Sequence, residues 1–290
     1  MKIKAYAKVN LALKVINKRE DGYHNLVTIM DLIDIYDVLH ISKCDKVIFT
    51  CSDKSLENNN NLIIKVINLL KNEYPNIKEL GAKIHLEKHI PYGAGLGGGS
   101  SDAAATLIVL NYLWKLNLTF EEMIKIALRV GSDVPYFLLG NLGILSGIGE
   151  NVNYINSNLK LYYLLVLPDY SCSTKEVYEA NKIYGDDLDN IDKMIIALHQ
   201  DDACAVINNM FNNLTAAAIA INDEEPKIKD IIEEINNVIS DNNINGKAIM
   251  SGSGSTVFAA FANRKDLDLI ASKLNGKNYH LIKTTSKKSA

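Results

Sequence analysis

Apolar and polar residues alternate most cleanly at the start of the chain. Ile3, Ala5, Ala7, Val9, Leu11, Leu13 and Val15 recur at every second position, which places them on one face of a strand. Lys4, Tyr6, Lys8, Asn10 and Lys14 fall on the other face, with the small Ala12 among them. At about 3.4 Å rise per residue, Lys8 and Asn10 are neighbours roughly 7 Å apart on that polar face. Lys4 and Lys14 read as solvated side chains. Arg19-Glu20-Asp21-Gly22-Tyr23-His24 carries a turn signal. Strand patterns follow at 26–32 and 38–50, a helical period at 62–74 stops before Pro75, and 82–90 reads as a strand. An Ala- and Leu-rich stretch at 102–114 and an amphipathic one at 120–130 predict two helices.

The pattern breaks at Gly131-Ser132-Asp133-Val134-Pro135. Pro135 disfavours helical angles at Val134, so Asp133 stands at the edge of an element. Either it caps the short apolar segment 134–139, or it is a functional carboxylate; the pattern leaves both open. Residues 143–149 read as a strand, and the polar stretch 151–160 marks a boundary between domains at 1–155 and 156–290. Beyond it, strands are expected at 161–167, 248–251, 256–262 and 279–285. Helices are expected at 175–184, 191–198, 203–211, 227–239 and 265–274. The tail 287–290 is expected to fray. Prolines 75, 91, 135, 168 and 226 all fall at these boundaries.

The densest chemistry lies in Pro91-Tyr92-Gly93-Ala94-Gly95-Leu96-Gly97-Gly98-Gly99-Ser100-Ser101, between an expected strand and an expected helix. Glycines allow close backbone approach to a ligand, and a helix N-terminus adds free N–H groups and a positive dipole end. Ser100 or Ser101 can cap that helix, with Asp102 in its first turn. The stretch therefore reads as a phosphate site. No Lys-Ser/Thr follows, so it is not a Walker A loop. Gly93-x-Gly95-x-x-Gly98 matches the dinucleotide fingerprint but lacks the second strand and acidic residue that the fingerprint needs. A second glycine loop, Ser251-Gly252-Ser253-Gly254-Ser255, either approaches a ligand or closes a tight hairpin.

Bulk properties narrow the classes. A chain of 290 residues with 48% hydrophobic and 22% charged residues can bury a core of ordinary size. A net charge of −3 gives no footprint for nucleic acid or a membrane surface. No apolar run reaches the roughly 18 residues that span a bilayer. The four cysteines lack metal-binding spacing and read as reduced thiols of a cytoplasmic protein. His85 and His89 flank Glu87 with the wrong spacing for a zinc pair.

Lys8-Val9-Asn10-Leu11, the Pro-x-x-x-Gly-Leu-Gly-Gly-Gly-Ser-Ser loop and Ser251-Gly252-Ser253-Gly254 occur in an order that resembles the GHMP kinases over the whole chain. Ala7-Lys8-Val9-Asn10-Leu11, Asp21-Gly22-Tyr23-His24, the glycine loop and Gly131-Ser132-Asp133-Val134-Pro135 are most similar to members acting on a cytidine-diphosphate-linked sugar alcohol. The resemblance implies an α+β, two-domain fold with ATP and substrate in the inter-domain cleft. It implies ATP and Mg2+ as cofactors and a small-molecule substrate, with neither nucleic acid nor membrane as partner. It implies Lys8 and Asp133 as catalytic residues. It places Asn61, Lys88 and the whole stretch from Pro91 to Ser101 at the nucleotide. It places Asn10, Tyr23, His24 and Tyr178 at the cytidine end, with Tyr178 where relatives often carry Phe. No carboxylate emerges as a magnesium ligand. Two alternatives stand beside this one. A kinase of homoserine or mevalonate is disfavoured by the Asp21-Gly22-Tyr23-His24 turn. A non-catalytic nucleotide binder is disfavoured by the retention of both Lys8 and Asp133.

Overall fold

The computed structural model describes residues 1–287 apart from 78, 223 and 278. Its organising strand is β1 (Lys2–Lys18), which does not keep one face throughout as strict alternation would require. Its antiparallel register against β2 (His24–Cys44) shifts after Tyr6 and again at Leu11, which stands between Asn10 opposite Met30 and Ala12 opposite Ile29. Such bulges turn a strand and re-aim its side chains. The apolar residues of β1 thus serve three cores: Ala5 one, Ala7, Val9 and Leu11 a second, Leu13 and Val15 a third. The middle of the expected polar face is covered as well, with Lys8 and Asn10 only 2% and 3% exposed, while Lys4 stays in solvent.

β3 (Ile48–Cys51) and β4 (Gly81–Glu87) extend the sheet in the order β3-β4-β2-β1. β5 (Gly143–Gly147) pairs with the other end of β2, and β6 (Asn151–Tyr154) pairs with β5. β6 is a strand that the polar stretch 151–160 gave no reason to expect. It is an edge strand whose side chains are mostly exposed, so its backbone pairing leaves no apolar alternation to read. Over this sheet lie α1 (Leu62–Glu73), α2 (Gly98–Leu113), α3 (Phe120–Val130) and α4 (Val134–Leu139). α3 starts where its sequence dictates: Thr119 Oγ1 accepts from Glu122 N while Glu122 returns a bond to Thr119 N, a capping box. Val134 is helical despite the proline after it, because Pro135 sits in the first turn of α4, where its missing N–H costs nothing; the end of α3 at Gly131 and the start of α4 thus fix where Asp133 emerges.

β7 (Tyr162–Leu167) opens a second, antiparallel sheet. After it come α5 (Thr174–Ala180), α6 (Asp189–His199), α7 (Ala203–Asn208), β8 (Phe211–Asn212), α8 (Thr215–Ile221) and α9 (Ile228–Asp241). β9 (Gly246–Met250), β10 (Val257–Phe261), α10 (Arg264–Leu274) and β11 (His280–Thr285) complete the chain, with sheet order β11-β7-β10-β9. Ile228, Ile231, Ile235 and Ile239 of α9 form the buried stripe against this sheet. The helix expected at 203–211 ends at Asn208, because Phe211 and Asn212 pair in parallel with Ala12 and Leu13 of β1. The second half thus adds a strand to the first sheet. α8 was not expected, since two turns of Ala-rich helix are too short to show a period. The tail expected to fray lies outside the described residues beyond Lys287, whose own N–H is tied to Leu32 O.

Candidate active site

The chain leaves β4 at Glu87 and enters α2 at Gly98, earlier than the helix expected from 102. Gly97 is the N-cap, with a left-handed φ of 72°, and no side chain caps the helix. Ser101 N bonds Gly97 O at 2.9 Å, so Ser100 and Ser101 lie inside the first turn and cap nothing. A bare glycine cap leaves the first-turn amides open toward an anion, at the positive end of a helix dipole. A side chain at Gly97 would strike the Phe137 ring at 2.7 Å and Lys8 Cε at 3.1 Å. Packing alone therefore demands glycine there.

Lys8 reaches the same spot from β1. Its backbone N–H bonds Leu96 O at 3.0 Å. Its ammonium donates to Asn10 Oδ1 at 2.7 Å and Gly95 O at 2.8 Å, and stands 3.6 Å from Asp133 Oδ2. Asn10 is held in turn by its bond to Thr28 Oγ1 at 2.9 Å. Burial lowers the Lys8 pKa, and the Asp133 charge opposes that shift. Asp133 occupies the N-cap position of α4 but makes no capping bond. Its side chain is 41% exposed and faces the open space beyond Lys8.

The second glycine loop makes the hairpin that was one of its two readings, and it also touches the first glycine loop. It closes the β9–β10 hairpin, and Ser251 Oγ donates to Gly95 O at 3.2 Å. A Cβ on Gly252 would lie 3.2 Å from Lys8 Nζ. The two glycine loops, Lys8 and Asp133 thus converge on a cleft of about 640 Å³.

One end of the cleft is aromatic, formed by Tyr23, His24 and Tyr178. The His24 ring lies 5.3 Å from that of Tyr178, tilted by 43°. Tyr184, which no sequence motif flagged, also stacks on His24, within 3° of parallel at 6.2 Å. His24 is 8% exposed, and its Nε2 has no hydrogen-bond partner among the described residues. Burial, then the nearby Lys18, lowers its pKa, which favours the neutral ring. Tyr23 is 61% exposed, on the turn that Gly22 makes with φ 86°.

The stretch expected at the nucleotide divides. Gly95, Gly97 and Ser100 line the cleft, whereas Ala94 and Leu96 are buried in a core and Tyr92 points into solvent. Asn61 caps α1 by accepting from Ile63 N. Its neighbour Leu62 packs beside Gly99, so Asn61 stands by the first turn of α2. Lys88 is turned inward, bonded to Asp37 and Asp102. Sequence reasoning missed Asp37, along with Thr174 and Glu179 of the cleft wall, where Ser253 of the second glycine loop also stands.

The model of the GHMP kinases N terminal domain matches residues 61–141, and that of the GHMP kinases C terminal domain matches 194–280. Together they take in more than half of the chain. The chain belongs to the GHMP kinase family. Among curated relatives of this GHMP kinase is the 4-diphosphocytidyl-2-C-methyl-D-erythritol kinase of Caldicellulosiruptor saccharolyticus, 37% identical over 99% of this chain and 97% of that one. The protein of the same name from Clostridioides difficile is 38% identical over 97% and 93%. A crystal structure of 4-(cytidine 5'-diphospho)-2C-methyl-D-erythritol kinase superposes with a TM-score of 0.77 at 28% identity, covering 99% of this chain and all of the other. Mevalonate pyrophosphate decarboxylase from Streptococcus pyogenes shares the fold, with a TM-score of 0.79 at 15% identity over 100% of this chain and 97% of that one. No helix among the described residues is long and apolar enough to cross a membrane.

Proposed function

We propose that this GHMP kinase transfers the γ-phosphoryl group of ATP to the 2-hydroxyl of 4-diphosphocytidyl-2-C-methyl-D-erythritol, giving the 2-phosphate and ADP. The observation that carries the reading is one cleft with a phosphate-type helix start in its middle, an ion pair beside it and an aromatic end. Relatives sharing more than a third of the sequence along nearly the full chain bear that kinase's name.

The chemistry follows from the charges. Phosphoryl transfer to an alcohol needs an in-line hydroxyl and stabilisation of charge on the transferring group. Asp133, open to the cleft, accepts the hydroxyl proton. Lys8, 3.6 Å away, stabilises the developing alkoxide. Its bond to Gly95 O ties that charge to the phosphate loop. The open amides of the first turn of α2 cradle the phosphates. Asn10 orients Lys8. Tyr23 and Tyr178 offer aromatic faces to the cytosine, and the unpartnered His24 Nε2 offers a polar atom at the same end. Tyr178 is also kept neutral, because burial and the Asp133 charge raise its hydroxyl pKa.

Magnesium is proposed as the partner of ATP. Mg2+ uses one or two carboxylates together with phosphate oxygens. Among the described residues no three His, Cys, Asp or Glu side chains converge as a metal cage. An ion delivered with the triphosphate would find Ser100 and the carboxylates of Asp133 and Glu179 on the cleft wall, and the chemistry it would supply is charge neutralisation. The division into units at 1–155 and 156–290 is proposed from the change of sheet between β6 and β7.

The test is ADP release by the purified protein with this substrate, homoserine or mevalonate as acceptor, with the product phosphate located by 31P NMR. Turnover confined to the cytidylyl substrate supports the reading, and turnover with only another alcohol rejects it.

A further inference from the structure

We propose that Asp37 is a positioning residue for the phosphate loop, acting through Lys88 and the two backbone amides that lead into the loop. The proposal rests on the nucleotide reading of that loop. Asp37 lies on β2 and is fully buried, although nothing in its sequence surroundings marks it. Its Oδ1 accepts from His89 N at 2.5 Å and Ile90 N at 2.8 Å, and its Oδ2 accepts from the Lys88 ammonium. These three consecutive donors are where the chain leaves β4 and turns toward Pro91. The ammonium then donates to Asp102 Oδ2, in α2, at 3.2 Å. It sits directly behind the helix start, since a Cβ on Gly98 would lie 2.8 Å from it. Both ends of the glycine loop are thereby fastened to one buried carboxylate.

A role in stability alone does not account for this cluster. Two carboxylates share one ammonium, and Asp102 Oδ1 is buried without a hydrogen-bond partner among the described residues. An uncompensated buried carboxylate is costly, and apolar residues of similar volume commonly stabilise a site at least as well. Burial, joined by the Asp37 charge and opposed by Lys88, raises the proton affinity of Asp102. For Lys88, burial works against the charge, but Asp102 and Asp37 together outweigh it. The Lys88 ammonium thus stands between the buried carboxylates of Asp37 and Asp102, against the backbone of the helix start. Lys88, expected at the nucleotide, acts from behind the loop.

The decisive variants are Asp37→Asn, Asp37→Ala and Lys88→Met. Asparagine keeps an oxygen for the two amides but loses the charge that holds Lys88, whereas alanine loses both. The measurements are the Kd for ATP·Mg by calorimetry, KM for each substrate, kcat at saturating ATP, and circular dichroism. Asp37→Asn should weaken ATP by about tenfold, the scale of one charge-assisted hydrogen bond, and Asp37→Ala by more. For Asp37→Asn the acceptor KM and kcat should stay near wild type, a split that general loosening of the fold does not produce. Lys88→Met should weaken ATP as Asp37→Asn does. If Asp37→Ala fails to fold, the other two variants decide. Folded variants that bind ATP as wild type does overturn this proposal alone, as does a parallel loss in both KM values and kcat. A wild-type protein that binds no ATP overturns the nucleotide reading and this proposal with it.

Discussion

Asp133 holds the N-cap position of α4 but turns its carboxylate to Lys8, 3.6 Å away, rather than to the helix amides. That excludes the capping role the sequence left open for it. A capping carboxylate would be consumed by the α4 amides. This one is free on its cleft side and held by a buried cation on the other.

The aromatic end of the cleft should govern affinity for the cytidylyl substrate. Truncating an aromatic side chain that stacks on a base costs about 1–3 kcal/mol. Tyr178→Ala should therefore raise the KM for 4-diphosphocytidyl-2-C-methyl-D-erythritol by roughly five- to a hundredfold and leave the KM for ATP unchanged. An unchanged acceptor KM would place the base elsewhere.

The helix start should be intolerant at one glycine and tolerant at the next. A Cβ at Gly98 meets Lys88 Nζ at 2.8 Å and Ile90 Cγ2 at 3.0 Å, and Lys88 is held by two carboxylates. Overpacking of this kind costs about 1–3 kcal/mol. A Cβ at Gly99 would meet Leu62 Cδ1 at an ordinary 3.8 Å, and alanine in a helix is favoured over glycine by about 0.5–1 kcal/mol. Urea unfolding should find Gly98→Ala destabilised and Gly99→Ala not. Equal stabilities would contradict the packing described here.

Asp31 gives stability a pH dependence with a definite sign. It lies on β2, and its Oδ2 accepts from Tyr163 Oη and from Ser286 Oγ, each at 2.6 Å, which ties the first sheet to the second. Burial pushes its carboxyl up to about 6, although both hydroxyl bonds oppose the shift. The unfolded value is about 3.9. Between the two the folded chain binds more protons than the unfolded one, so this contribution is complete below about pH 4 and is lost as pH rises through about 6. At about 1.36 kcal/mol per pH unit the swing is up to about 3 kcal/mol. Asp31→Asn keeps an acceptor and removes the titration. The difference between wild type and Asp31→Asn in unfolding free energy should fall across that window, and a flat difference would contradict the assignment.

Most of the site was legible because it is local. The glycine loop, the Lys8 strand, the Asp21-Gly22-Tyr23-His24 turn and the Pro135 break each announce themselves within a few residues. Asp37 did not, because its partner Lys88 lies 51 positions away and β2 offers no motif around it. The single apolar face read from β1 failed where bulges at Tyr6 and Leu11 re-aimed the strand, a tertiary feature without a local signal. β6 and β8 were missed because backbone pairing, not side-chain burial, makes them strands. Tyr184 meets His24 where Gly185 N docks on Ile16 O and the Tyr184 hydroxyl donates to Asn181 O, contacts that no local pattern marks.

Asp133 as the base that takes the hydroxyl proton, with Lys8 as its electrostatic partner, is the centre of this account. The direct measurement is kcat for ADP release at saturating ATP and 4-diphosphocytidyl-2-C-methyl-D-erythritol, in wild type, Asp133→Asn, Lys8→Ala and the double variant. A positioned base contributes about 10² to 10⁴ in rate, so Asp133→Asn should lose at least a hundredfold while still binding ATP. The double variant should lose much less than the two single losses multiplied together, because the pair acts as a unit. A folded Asp133→Asn protein with near wild-type kcat would contradict the account.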